Sequence, residues 1–191
     1  MKKKAKLDKV IEDAINIDDS LLEKSVKLAV QGTLVLEFGV SGGFTINRIA
    51  SSTTETVYGF DSFMGIPEAW NGMGIGAFST NGQLPVVAGN VKLIEGLFQD
   101  TLDNFLKEHT DQVGFCHIDS DLYSSAAYVL DRLKDRFFDG TIIVFDELAH
   151  YGDYENHEYK AFLEFLDYTN MDFEFIGRRS REAFAFKLIK G

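Results

Sequence analysis

At 191 residues, 45% of them hydrophobic and 26% charged, the chain is long enough for one domain with a real core and too short for two comfortable ones. A formal net charge of −11 argues against a nucleic-acid partner, because an acidic surface repels phosphate backbones; the one basic cluster, Lys2-Lys3-Lys4-Lys6, reads as a solvated amino terminus. No apolar run approaches membrane-spanning length, no signal-peptide pattern follows the lysines, and the single cysteine, Cys116, excludes an intrachain disulfide and a cysteine zinc cluster, so a cytoplasmic enzyme or binding domain is expected.

Leu7, Val10, Ile11, Ala14 and Ile15 recur at helical spacing and predict an amphipathic helix over 5–16. A second helix is expected from Leu21 to Gln31, opened by a capping box of Ser20 with Glu23 and stopped at Gly32. Both precede the core at 33–191 and are expected to pack across one edge of its sheet. Thr33 to Gly43, TLVLEFGVSGG, then reads as strand, glycine turn and the opening of a helix, the way an α/β sheet makes room for a nucleotide-like ligand. The spacing is not G-x-G-x-x-G, and Glu37 stands two residues before the first glycine, which suits a nucleoside with a positive charge near it better than a pyrophosphate.

Strand two is expected over 56–60, ending at Asp61, and an irregular stretch over 62–90 is rich in glycine yet carries Met64, Ile66, Trp70, Met73, Ile75 and Phe78. Loops this long are usually functional or mobile. Further strands are expected at 91–94, 113–118 and 141–145, with a helix capped by Thr101, one from Ala127 to Phe137 and one around 156–168. The segments 173–176 and 183–188, joined by Gly177-Arg178-Arg179-Ser180, form a hairpin signal. Alternating strands and helices followed by a hairpin imply a mostly parallel sheet with helices on both faces.

Four of the five parallel strands end in an acid: Glu37, Asp61, Asp119, and Asp146 with Glu147. Acids are poor strand formers and terminate strands for that reason alone, but so many at one sheet edge line the ligand crevice of an open α/β sheet. Asp61 is placed to accept both ribose hydroxyls of a nucleoside, whether of NAD or another. Asp119, Asp146 and Glu147 would repel one another unless a cation or proton is shared, and hard oxygen ligands favour Mg²⁺, with Mn²⁺ or Ca²⁺ as alternatives. Asp121 or Glu147 can equally be read as helix caps. His117 shares the face of Asp119 and is either functional or a satisfied core histidine, while His150 and His157 lie where a substrate would approach.

Glu37-Phe38-Gly39-Val40-Ser41-Gly42-Gly43 resembles the first motif of class I S-adenosylmethionine-dependent methyltransferases. The segments Tyr58–Phe63, Gly96–Leu102, His117–Tyr123 and Phe145–Glu147 are similar, in order and spacing, to those of metal-dependent O-methyltransferases of the macrocin and catechol types. The resemblance implies a Rossmann-like α/β fold with a seven-stranded, mostly parallel sheet and a C-terminal antiparallel hairpin. It implies S-adenosylmethionine held by Glu37, Gly39, Ser41, Gly43 and Thr45 at the methionine part, Asp61 and Ser62 at the ribose, and Phe98 and Gln99 at the adenine, with Asp119 alongside. It implies a divalent metal, Mg²⁺ by preference, on Asp119, Asp146 and Glu147, although relatives usually carry Asp or Asn where this chain has Glu147. The lysine base of catechol enzymes is replaced by Leu122, leaving Asp119, Asp121 and His150 as candidates for proton transfer. The expected reaction is O-methylation of a small-molecule hydroxyl, on a sugar or catechol-like acceptor, by a chain that would be free to form homo-oligomers. An NAD-linked oxidoreductase and a non-catalytic S-adenosylmethionine-binding domain are the alternatives.

Overall fold

A computed structural model describes residues 2–191. Seven strands form one sheet: β1 Leu34–Phe38, β2 Val57–Asp61, β3 Val91–Glu95, β4 Val113–Ile118, β5 Ile142–Phe145, β6 Met171–Arg178 and β7 Phe184–Lys190. Their spatial order is β3-β2-β1-β4-β5-β7-β6, with β7 antiparallel to both of its neighbours and the other pairings parallel. The order reverses between β1 and β4, so the loops after these two strands diverge and open a crevice there. Helices α1 Lys2–Asp13, α2 Leu21–Val26, α3 Phe44–Ala50, α4 Phe98–Glu108, α5 Tyr123–Leu133 and α6 Glu158–Thr169 cover both faces. None of the described helices is long and apolar enough to cross a membrane.

Strand alternation divides the core. Leu34, Leu36 and Phe38 of β1, with Cys116 and Ile118 of β4, pack toward α1, α4, α5 and α6. Val35 and Phe115 point the other way, toward α2 and α3. With side chains alternating at period two, Glu37, His117 and Asp146 fall on the α2–α3 side, two residues beyond Val35, Phe115 and Val144. Both central strands are buried along their whole length, as expected of parallel strands covered on two faces.

The two N-terminal helices do not share an edge. Leu7 and Ile11 of α1 join the core on the α6 side, while Leu21, Leu22 and Val26 of α2 join the opposite one. The second helix is also shorter than its pattern suggested, and its capping box does not form. Ser20 donates to Asp18 instead, and Glu23 is drawn away by Arg48 of α3 at 2.7 Å. Helix α4 begins earlier than Thr101, which sits inside it and donates its hydroxyl back to the Leu97 carbonyl at 2.9 Å.

Candidate active site

Backbone hydrogen bonds continue the sheet one residue past its strands: Gly39 N–H to the Phe60 carbonyl, Asp119 N–H to Phe38 and Asp146 N–H to Ile118, each at 2.9 Å. They set Gly39, Asp119 and Asp146 in a row across the crevice mouth. A cavity of about 290 Å³ opens above that row. On one side it is bounded by Gly39, Val40, Ser41, Asp61, Ser62, Phe98 and Gln99, and on the other by Asp119, Asp121, Asp146 and Glu147.

The first side is built largely from backbone. Gly39 has φ +97°, and a Cβ there would lie 1.7 Å from the Asp119 carbonyl oxygen, so only glycine allows the turn to cross β4. Ser41 also takes a positive φ of 45°. Asp61 explains how the turn is held: one carboxylate oxygen accepts the Val40 and Ser41 N–H groups at 2.8 and 2.7 Å, and the other accepts the Phe63 N–H at 2.7 Å. Its carboxylate therefore braces the glycine turn as well as facing the cavity. Gly43 and Thr45 do not line the cavity; Gly43 is the left-handed residue that starts α3.

Glu37 is turned away from the cavity as well. It is fully buried, and its Oε1 meets His117 Nδ1 at 2.8 Å while Oε2 has no partner. Burial pushes its carboxyl up, against the pull of His117. The other ring nitrogen, His117 Nε2, lies 3.4 Å from Asp146 Oδ1 without a well-formed hydrogen bond. Burial opposes a charge on this ring, but the Asp146 and Glu37 carboxylates on either side outweigh it and push His117 up to about 10. Asp146 Oδ1 also accepts from the Arg179 guanidinium, delivered by the turn between β6 and β7. Despite its burial, His117 and Arg179 hold Asp146 below the usual carboxylate range.

The second side is crowded with acids. Burial, then the charge of Asp146, pushes Asp119 well above the ordinary range and Asp121 up to about 7. Burial, then Asp119 and Asp146, raises Glu147 in the same way, and its Oε2 is buried without a partner. Asp121 adopts φ +61°, a sparsely populated conformation for a residue with a side chain, of the kind that clusters at functional sites. The turn that carries it is pinned by Glu158 at the start of α6, whose Oε1 accepts the Ser120 N–H at 3.0 Å. His117, Asp119 and Asp146 each offer one ligand atom, and these atoms lie within 4.8 Å of one another; Glu147 is not part of that group.

His150 stands apart. Its ring lies 6.0 Å from Phe184, burial and Arg178 push it down, and it does not line the cavity. The roof comes from the 62–90 segment. Ile66 and Trp70 are buried against Leu122, with the Trp70 and Tyr151 rings 5.4 Å apart, whereas Met64 and Ile75 remain exposed. Sequence reasoning missed Glu158 and Arg179. The first sits one position into an otherwise ordinary amphipathic helix and the second in a hairpin turn, and neither place carries a local signal.

Comparison with known proteins agrees with this geometry. The model of a family described as a methyltransferase domain matches residues 36–148. No curated protein sequence matches the chain significantly. Among solved structures, the calicheamicin methyltransferase CalS11 superposes with a TM-score of 0.68 at 18% identity, over 97% of this chain and 91% of that one. The O-methyltransferase NovP superposes at 0.65 with 20% identity, over 88% and 78%. An O-methyltransferase from Bacillus cereus in complex with SAH gives 0.55 at 13%, over 100% and 91%. At these identities the structures speak for the fold, and the family match speaks for the chemistry: the chain belongs to the methyltransferase domain family and has the class I S-adenosylmethionine-dependent methyltransferase fold.

Proposed function

We propose that this single-domain protein is an S-adenosylmethionine-dependent O-methyltransferase that modifies a hydroxyl of a small molecule, a sugar or a catechol-like compound, with the help of a divalent cation. The observation that carries the reading is one continuous cavity lined by the Gly39 turn, Asp61 and Phe98 together with the carboxylates Asp119, Asp121, Asp146 and Glu147. S-adenosylmethionine, when bound, supplies a methyl group already activated by its sulfonium. What the chain must add is alignment and a place for a proton. Gly39 lets the turn pass close against the Asp119 backbone at the crevice mouth, Asp61 and Ser62 offer oxygen acceptors to the ribose, and Phe98 presents a ring to the adenine.

Methylation of a hydroxyl oxygen releases its proton, which the chain must accept. Asp121 is suited to receive it, being in the cavity wall, largely buried, and poised near neutrality. Asp119 is the rival acceptor from the same turn. Trp70 and Phe78 contribute apolar surface to the cavity wall. The residues present fit a cation, since carboxylates raised by burial and then by one another, with buried oxygen and nitrogen atoms without partners, lie close together there. Asp119 and Asp146 would hold it, with Glu147 as the third carboxylate, and it would lower the acceptor's pKa and fix its orientation.

Calorimetry should detect SAH binding and no NADH binding. Methyl transfer over a panel of hydroxylated sugars and catechols should then appear and be abolished by EDTA. Binding of NADH in place of SAH would overturn the reading, and turnover unchanged in EDTA would remove the cation from it.

A further inference from the structure

The buried pair Glu37–His117 has no place in the three-carboxylate metal set. His117 is fully buried, so both ring nitrogens require partners. Glu37 Oε1 satisfies Nδ1 at 2.8 Å, which leaves Nε2 as the nitrogen that can give up its proton to an incoming cation and supply a lone pair. Nε2 makes no hydrogen bond, faces Asp146 Oδ1 at 3.4 Å, and belongs to a residue whose ligand atom lies with one oxygen each of Asp119 and Asp146 in a group spanning no more than 4.8 Å. A carboxylate on one imidazole nitrogen with two carboxylates converging on the other is how proteins orient a histidine toward a metal.

We infer that His117, through Nε2, is a metal ligand together with Asp119 and Asp146, and that Glu37 is the positioning residue that fixes its ring. The inference rests on the cation in the proposed function but changes its third ligand from Glu147 to His117. It also changes the metal. Mg²⁺ strongly prefers oxygen, whereas imidazole suits first-row transition metals, so one nitrogen beside two carboxylates selects Mn²⁺ or a later metal over Mg²⁺. Arg179 engages Asp146 Oδ1, the oxygen that also faces His117, and among the described residues no hydrogen bond is made by the other carboxylate oxygen, which is left for the ion. The pairing further explains why the acid of the first motif points into the sheet: β1 and β4 set Glu37 directly opposite His117 in register.

The test needs no methyl acceptor. Mn²⁺ is titrated into the full chain and followed by electron paramagnetic resonance, with electron spin-echo modulation reporting directly bound nitrogen. One Mn²⁺ per chain with imidazole nitrogen modulation is expected, poorly displaced by excess Mg²⁺. His117→Gln should lose the nitrogen signal, and His109→Gln should keep it. Glu37→Gln should weaken Mn²⁺ binding about 10- to 100-fold while leaving the nitrogen signal in the bound fraction. Should His117→Gln fail to fold by circular dichroism, the wild-type nitrogen signal and Glu37→Gln decide. Mn²⁺ bound without nitrogen modulation would overturn this inference and leave the carboxylate site of the proposed function standing. No Mn²⁺ binding at all would overturn both.

Discussion

The two sides of the cavity are built on opposite principles. On the side of the glycine turn the polar groups are paired within the chain: the turn donates the Val40 and Ser41 N–H groups to Asp61, and Asp61 has both oxygens engaged. Around the acids, Glu147 Oε2 in the cavity wall and His117 Nε2 and Glu158 Oε2 outside its lining are buried with nothing to bond to. Unsatisfied buried groups cost about 1–3 kcal/mol each, so a fold keeps them where something is gained when a partner arrives. The satisfied side is prepared to receive a ligand by shape, and the unsatisfied side by charge.

The largest expected effect attacks the shape. Gly39→Ala forces a Cβ into the Asp119 carbonyl at a φ that side chains rarely adopt, and overpacking plus that strain should cost about 3 kcal/mol or more. Urea unfolding should show the loss, and calorimetry should show no residual SAH binding. A stable variant that binds SAH normally would break the idea that clearance governs this side.

Next in size, Asp146→Ala removes the group shared by His117 and Arg179. Methyl transfer should fall at least about 100-fold, as when ligands of a metal site or the groups that orient them are removed, while SAH affinity stays within about threefold, less than about 1 kcal/mol. Parallel losses in both would mean the sides are not separable.

Asp61→Asn retains the shape but weakens charge-assisted bonds to the Val40 and Ser41 N–H groups. SAH affinity should drop about 10- to 100-fold, the equivalent of about 1.5–3 kcal/mol for hydrogen bonds to a charged group. An effect on metal binding larger than on SAH would contradict the division.

The smallest effect concerns pH. Burial pushes Glu158 up from 4.5 to about 8, against the Ser120 hydrogen bond. The folded chain keeps a proton that the unfolded chain releases between these values, so this contribution to stability is fully present below pH 4.5 and is lost as pH rises toward 8. Glu158→Gln should flatten the fall in Tm between about pH 5 and pH 8. A steeper fall in the variant would reverse the sign and remove Glu158 as a strained acid.

Much of the fold was legible because strand–turn–helix alternation repeats at strong hydrophobic periods and the hairpin closes it. The exceptions were local signals overruled by other partners: Ser20 lost its cap role to its near neighbour Asp18, and Glu23 was recruited by Arg48 of the next helix. The cavity residues read from motif and position, Gly39, Ser41, Asp61, Ser62, Phe98, Gln99, Asp119, Asp121, Asp146 and Glu147, do meet around one space. Glu37, Gly43, Thr45 and His150 lie outside its lining; for Glu37 the reason is its pairing with His117 within the buried sheet, which its place at a strand end does not record.

The sequence by itself determined the order of strands and helices, the glycine turn and the row of acids at strand ends, since these follow from periodicity, glycine and burial acting over a few residues. Only the tertiary structure decided what each acid touches. Glu37 meets His117 across 80 residues, Arg179 reaches Asp146 across 33, and Glu158 pins Ser120 across 38. Such pairings depend on register and strand order, which bring together charges that no local pattern in the chain records.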